Sequence, residues 1–146
     1  MEKEKLTSDE AIKILTEWAE YWELDTERGL FKDVIEELRM PVKLQRLTFD
    51  IETESFKLQL IKPIKTGKGD GEKEVNFVTI KDCDLESKRV LQRYKDNEAI
   101  DAAAAMMSKY TDLQTFQVTK LESRDQSRIN AVVMGFITQV EPDKKK

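Results

Sequence analysis

The apolar residues of this chain change their repeat twice. From Ala11 to Leu38 they recur at steps of three and four. From about Val42 to Ile80 they alternate, and from Ala99 to Val140 the three-four spacing returns. Steps of three and four stack side chains on one face of a helix, whereas alternation puts them on one face of a strand. The expected fold class is therefore α+β, an antiparallel β-hairpin or small sheet packed against about four α-helices.

In the first helical stretch Ala11, Ile14, Leu15, Trp18, Ala19 and Trp22 share a face, and Thr7 with Glu10 three residues on is a capping-box signature. A second helix carries Leu30, Phe31, Val34, Ile35 and Leu38. Pro41 biases Met40 away from helical geometry, which predicts a stop by about Arg39. Leu47, Phe49 and Ile51 then alternate, as do Phe56, Leu58 and Leu60 before Pro63. Val75 to Ile80 reads as a further strand, and the glycines between Thr66 and Gly71 form a hairpin tip. Between Asp84 and Lys95 the apolar residues are too sparse for more than a short helix or connector. Ala99, Ala102, Ala103, Met106, Met107 and Tyr110 make a helix, and Leu113 to Leu121 a brief helical turn. A last helix runs over Ile129, Val132, Val133, Phe136, Ile137 and Val140, with Ser123 and Gln126 as a second capping box. The division that follows is a helical extension over 1–46, an α+β domain over 47–140 and a charged tail over 141–146 that should fray.

Composition narrows the chemistry. With no histidine, histidine-based relays, general bases and zinc ligation are excluded, and the lone Cys83 forms no intrachain disulfide or multi-cysteine metal site. No apolar run approaches the roughly 20 residues of a membrane span, and Met1-Glu2-Lys3-Glu4-Lys5 is not a secretory leader, so a cytoplasmic protein with no membrane partner is expected. With 25 Lys+Arg against 29 Asp+Glu, a nucleic-acid partner is not expected. Gly67-Lys68-Gly69-Asp70-Gly71 lacks the Lys-Ser/Thr of a phosphate loop and is followed by a strand. Asp82, Asp84 and Glu86 lack the glycine and terminal glutamate of a calcium loop. Cys83 between acids is a poor nucleophile. Neither a metal nor another cofactor is expected, and the chain reads as a binder, not an enzyme.

Two apolar sets could serve that binding. Met106 and Met107, with Tyr110, lie on an alanine-rich helix: they either fill the core or line a shallow groove beside Ala103, Ala104 and Ala105 that takes a partner helix. Trp18 and Trp22, one turn apart, form either a core ridge or a docking patch.

The order of elements adds a resemblance. A strand ending in Leu60-Ile61-Lys62-Pro63-Ile64, the glycine turn, and the strand Val75 to Ile80 come first. Asp82 to Leu85, the Ala99 to Tyr110 helix, and Leu121-Glu122-Ser123-Arg124-Asp125 before Val132-Val133-Met134-Gly135-Phe136 follow. From about Phe56 to Ile137 this succession resembles the small tail assembly chaperones of Mu-like and related long-tailed bacteriophages. The resemblance implies an escort for the tape-measure protein, a long helical chain kept soluble until the tail tube assembles around it. It further implies contacts with copies of itself and other tail proteins, in the cytoplasm of the bacterial host. A structural tail-completion or tube-terminating subunit is the alternative. The extension through residue 46 has no counterpart in that pattern.

Overall fold

The computed structural model describes residues 6–66, 73–86, 89 and 99–138, apart from the side chains of 66, 73 and 99–103. The hairpin tip, most of the connector after Asp84 and the charged tail expected from the sequence lie outside these residues.

Helix α1 (Ser8–Tyr21) starts as its sequence dictates. Thr7 takes the N-cap, its Oγ1 accepting from the Glu10 N–H at 3.1 Å, while Glu10 Oε1 accepts from the Thr7 N–H at 2.9 Å. These bonds, the backbone one foremost, hold the Glu10 carboxyl below its ordinary pKa. The helix ends without glycine: Glu23 adopts a positive φ of 56°, and the Leu24 and Glu23 N–H groups return to the carbonyls of Ala19 and Glu20. This is the paired closure of a Schellman motif, with Leu24 buried behind it.

Helix α2 (Gly29–Lys43) overruns its expected stop. Pro41 lies inside it. The missing Pro41 N–H forfeits one intrahelical bond, but Leu38, Pro41 and Val42 are all buried, so the extra turn completes an apolar face. A second Schellman closure seals it: Gln45, at φ 57°, and Arg46 donate to the carbonyls of Val42 and Pro41.

The sheet has the order β1 (Leu47–Asp50), β2 (Ser55–Thr66), β3 (Lys73–Ile80), with both pairings antiparallel. Phe49 faces Phe56 and Leu58 faces both Leu47 and Val78. Strand β2 runs through Pro63, where the sequence predicted an end. The pairing to β3 is interrupted between Gln59 and Ile64, and this irregularity accommodates a residue with no N–H to donate.

Helix α3 (Ala99–Tyr110) leads to the turn α4 (Thr115–Val118) and helix α5 (Ser123–Val132), which widens into a π-helical turn over Val133–Ile137. The α3–α4 joint sits on the outer edge of β3: Lys81 N–H donates to the Tyr110 carbonyl, and Thr79 exchanges bonds with Asp112. Helix α5 does not form the expected Ser123 capping box. Glu122 is its N-cap, Ser123 is already helical, and Gln126 Nε2 donates to the Leu121 carbonyl instead.

One buried cluster unites these elements. It takes in Ala11, Leu15 and Ala19 of α1, Val34 and Leu38 of α2, Leu58 and Ile64 of β2, and Ile129 and Phe136 at the C-terminal end. Phe56 is its hub, with ring centroids 4.6 Å from Phe49, 5.3 Å from Phe136 and 5.6 Å from Trp18. Such offset and edge-on pairs add about 0.5–1.5 kcal/mol each to simple burial. Residues 7–46 thus share their core with the sheet.

Candidate functional site

The residues singled out from the sequence are mostly committed to the interior. Met107 and Tyr110 are 7% and 4% exposed, and Met106 is half-buried against the core. Burial first, then Cys83 and Asp82, pushes the Tyr110 hydroxyl up to about 12. Trp18 and Trp22 are half-buried and meet Phe49 and Phe56 at centroid distances between 5.6 and 6.2 Å. They form a core ridge with one edge at the surface. Of the alanine groove, Ala105 is buried and Ala104 half-buried; Ala103 falls outside the described side chains. The structure therefore does not bring the methionine and tryptophan sets together into one docking face.

A cavity lies elsewhere. Between α2 and α5 runs a trough of about 380 Å³ lined by Leu30, Asp33, Val34, Glu37, Ser127, Asn130, Ala131, Met134 and Gly135. The α2 residues follow helical spacing, so one face supplies both floor and lip. Leu30 and Val34 are buried at the bottom; Asp33 and Glu37 stand exposed on the rim. Ser127 and Asn130 form the opposite rim, with Ala131 and Met134 half-buried between. Met40 continues the α2 rim one turn beyond Glu37 and is 48% exposed.

Gly135 explains how the two helices come this close. A Cβ there would collide with Val34 Cγ2 and stand 3.6 and 3.8 Å from Val34 Cβ and Cγ1. The π-helical turn, closed by Thr138 N–H to the Val133 carbonyl at 2.8 Å, presents this glycine to α2. The sequence placed Leu30 and Val34 on a helix face and Met134 and Gly135 in a motif, but gave none of them a binding role. The available signal was Gly135 itself: an isolated glycine within a helical pattern marks close approach.

A second arrangement holds the trough's α5 side in place. Asp125 is fully buried, and its carboxylate accepts from the Ile61 N–H at 2.9 and 3.1 Å and from the Lys62 N–H at 3.2 Å. Those groups lie on β2 beyond Leu58, the last residue paired with β1, so a side chain satisfies backbone donors that no strand reaches. Arg46 joins the same joint through its carbonyl, which accepts from Gln59 N–H at 2.7 Å. Arg128 lies nearby: burial lowers its pKa and the Asp125 charge opposes that shift. The Leu60 to Ile64 element and the Leu121 to Asp125 element, separate in the sequence, are thus one structural joint.

Among the described residues no group of three or more Asp, Glu or Cys is placed to hold a metal ion. Nor is any described helix long and apolar enough to cross a membrane. No protein-family model, curated protein or solved structure matches this chain.

Proposed function

We propose that this chain is a bacteriophage tail assembly chaperone that binds the helical tape-measure protein and keeps it soluble during tube assembly. It works without catalysis, in the host cytoplasm and alongside further copies and other tail proteins. The observation that carries this reading is the α2–α5 trough, where the half-buried Ala131 and Met134 leave apolar surface above the buried Leu30 and Val34. An amphipathic helix laid on such a surface places one or two side chains inside and keeps its polar face wet. Shallow contacts of this kind release as well as bind, which an escort requires.

The Asp125 joint bears on how the motif elements behind the resemblance pack within this chain. It ties together two of the motif elements that carry the resemblance, which accounts for both in one chain. The seat of binding proposed here replaces the methionine and tryptophan sets, whose surfaces are largely used by the core.

Co-expression of the full chain with the long coiled-coil protein encoded immediately downstream, followed by affinity pull-down, tests the reading. A soluble complex and loss of the partner's aggregation are expected. Absence of any complex across low and high salt would overturn it.

A further inference from the structure

We infer that the α2–α5 trough selects a helix whose apolar ridge is flanked by lysine or arginine. This rests on the escort reading and adds the chemistry of the client. The cavity, about 380 Å³, is at the small end of ligand clefts, which run from roughly 300 to 1,000 Å³. It suits about two or three aliphatic side chains projecting from a helix, not an entire element.

The rims decide which helix. Asp33 and Glu37 stand one turn apart on α2, about 6 Å along its axis, and both are exposed. Neither has an ion-pair partner within 4 Å among the described residues. The facing rim offers only the neutral side chains of Ser127 and Asn130, and no Lys or Arg lines the cavity. Arg128 is close enough to both Glu37 and Asp125 to feel their charges, and it lies outside the lining. An incoming helix therefore meets a negative edge on one side and a hydrogen-bonding edge on the other. Lysines four residues apart beside a leucine ridge match the spacing of Asp33 and Glu37. A glutamate-flanked ridge would be repelled, and the net charge of -4 adds to that bias.

The experiment uses three fluorescein-labelled peptides of about 20 residues, long enough to hold helix. They carry the same leucine ridge flanked by Lys, Gln or Glu and are titrated against the full chain by fluorescence anisotropy. The Lys peptide should bind about fivefold tighter than the Gln peptide, the worth of two exposed ion pairs, with the Glu peptide weakest. The order should flatten in about 1 M salt, where the screening length falls to about 3 Å. In the Asp33→Lys, Glu37→Lys variant, whose changes lie on exposed positions and spare the core, the order should invert. Ala131→Trp, checked for folding by circular dichroism, should weaken all three peptides by filling the trough.

Equal affinities at low salt, or an order unchanged by the double charge reversal, would overturn the inference. So would a self-associated wild-type chain that the charge reversal dissolves in sedimentation, since the occupant would then be a second copy. The escort reading fails separately: if the peptides behave as expected but the tape-measure protein is not retained in pull-down, the trough chemistry stands and the escort falls. Retention of that protein equally by wild type and the charge-reversed chain sinks the trough and leaves the escort.

Discussion

Replacing Asp125 by alanine should be among the most damaging single changes in this protein. The carboxylate serves two backbone donors, Ile61 N–H at 2.9 and 3.1 Å and Lys62 N–H at 3.2 Å. Truncation leaves both without an acceptor, and a buried unsatisfied donor costs about 1–3 kcal/mol. Lys62 is exposed, so water replaces its lost partner; Ile61 is half-buried and recovers less. Arg128 loses a nearby anion, which acts in the same direction. The sum is about 2–4 kcal/mol, a large part of the 5–15 kcal/mol of a typical domain. At this chain length it should lower Tm by about 5–15 °C. Asp125→Asn keeps the shape and one acceptor oxygen but turns an NH2 group toward one donor, and should cost about half as much. Urea denaturation gives the free energy, and amide hydrogen exchange locates it: protection should fall at Ile61 and Lys62 while the Phe56 and Leu58 amides, within the paired ladder, keep theirs. A loss below about 1 kcal/mol with Ile61 still protected would refute the assignment of Asp125 as the acceptor for this stretch of β2.

Gly135→Ala should destabilise by about 1–2 kcal/mol, because overpacking against Val34 outweighs the gain in helix propensity. Combined with Val34→Ala the penalty should be relieved, giving a double-mutant coupling of at least about 1 kcal/mol in denaturant titrations; additive effects would argue against the close approach. Thr7→Ala should cost about 1 kcal/mol by removing the N-cap of α1. The Glu10 carboxyl has a lowered folded pKa, so its contribution is present above the ordinary carboxylate range and is lost as pH falls through the folded value. The stability difference between wild type and Glu10→Gln should accordingly shrink on acidification, measured by thermal melts across pH. Tyr110 has the opposite sense: its pKa is raised from 10 to about 12, so its contribution is complete below pH 10 and lost as pH rises through about 12. Ultraviolet titration should show a late tyrosine, absent in Tyr110→Phe, and that variant should lose less stability across this alkaline window.

Local rules and tertiary demands separate cleanly in this chain. Thr7 and Glu10 needed only each other, four residues of sequence, and their capping box forms as written. The alternation of Phe56, Leu58 and Leu60 placed one face of β2 in the core because strand geometry leaves no other choice. Pro41 and Pro63 misled for a shared reason. Each removes one N–H, a local penalty, while continuation is rewarded by burial of Val42 in one case and Ile64 in the other. Both helix ends at Glu23 and Gln45 adopt positive φ without glycine, so the usual signal for a stop was missing. Methionine and tryptophan look alike in sequence whether they fill a core or line a groove, so both readings of Met106, Met107, Trp18 and Trp22 stayed open until their burial was seen.

Period and composition alone therefore settled the succession of helix, antiparallel sheet and helix, and excluded histidine chemistry and an intrachain disulfide, since each depends on residues close in sequence or absent from it. Packing decided which apolar faces were consumed and which remained. The Phe56 hub draws in Trp18 and Trp22, while a glycine on a widened turn and a single carboxylate bonded to a strand 64 residues away set α2 and α5 at the spacing that leaves the trough. Those are long-range contacts, and no local spacing encodes them.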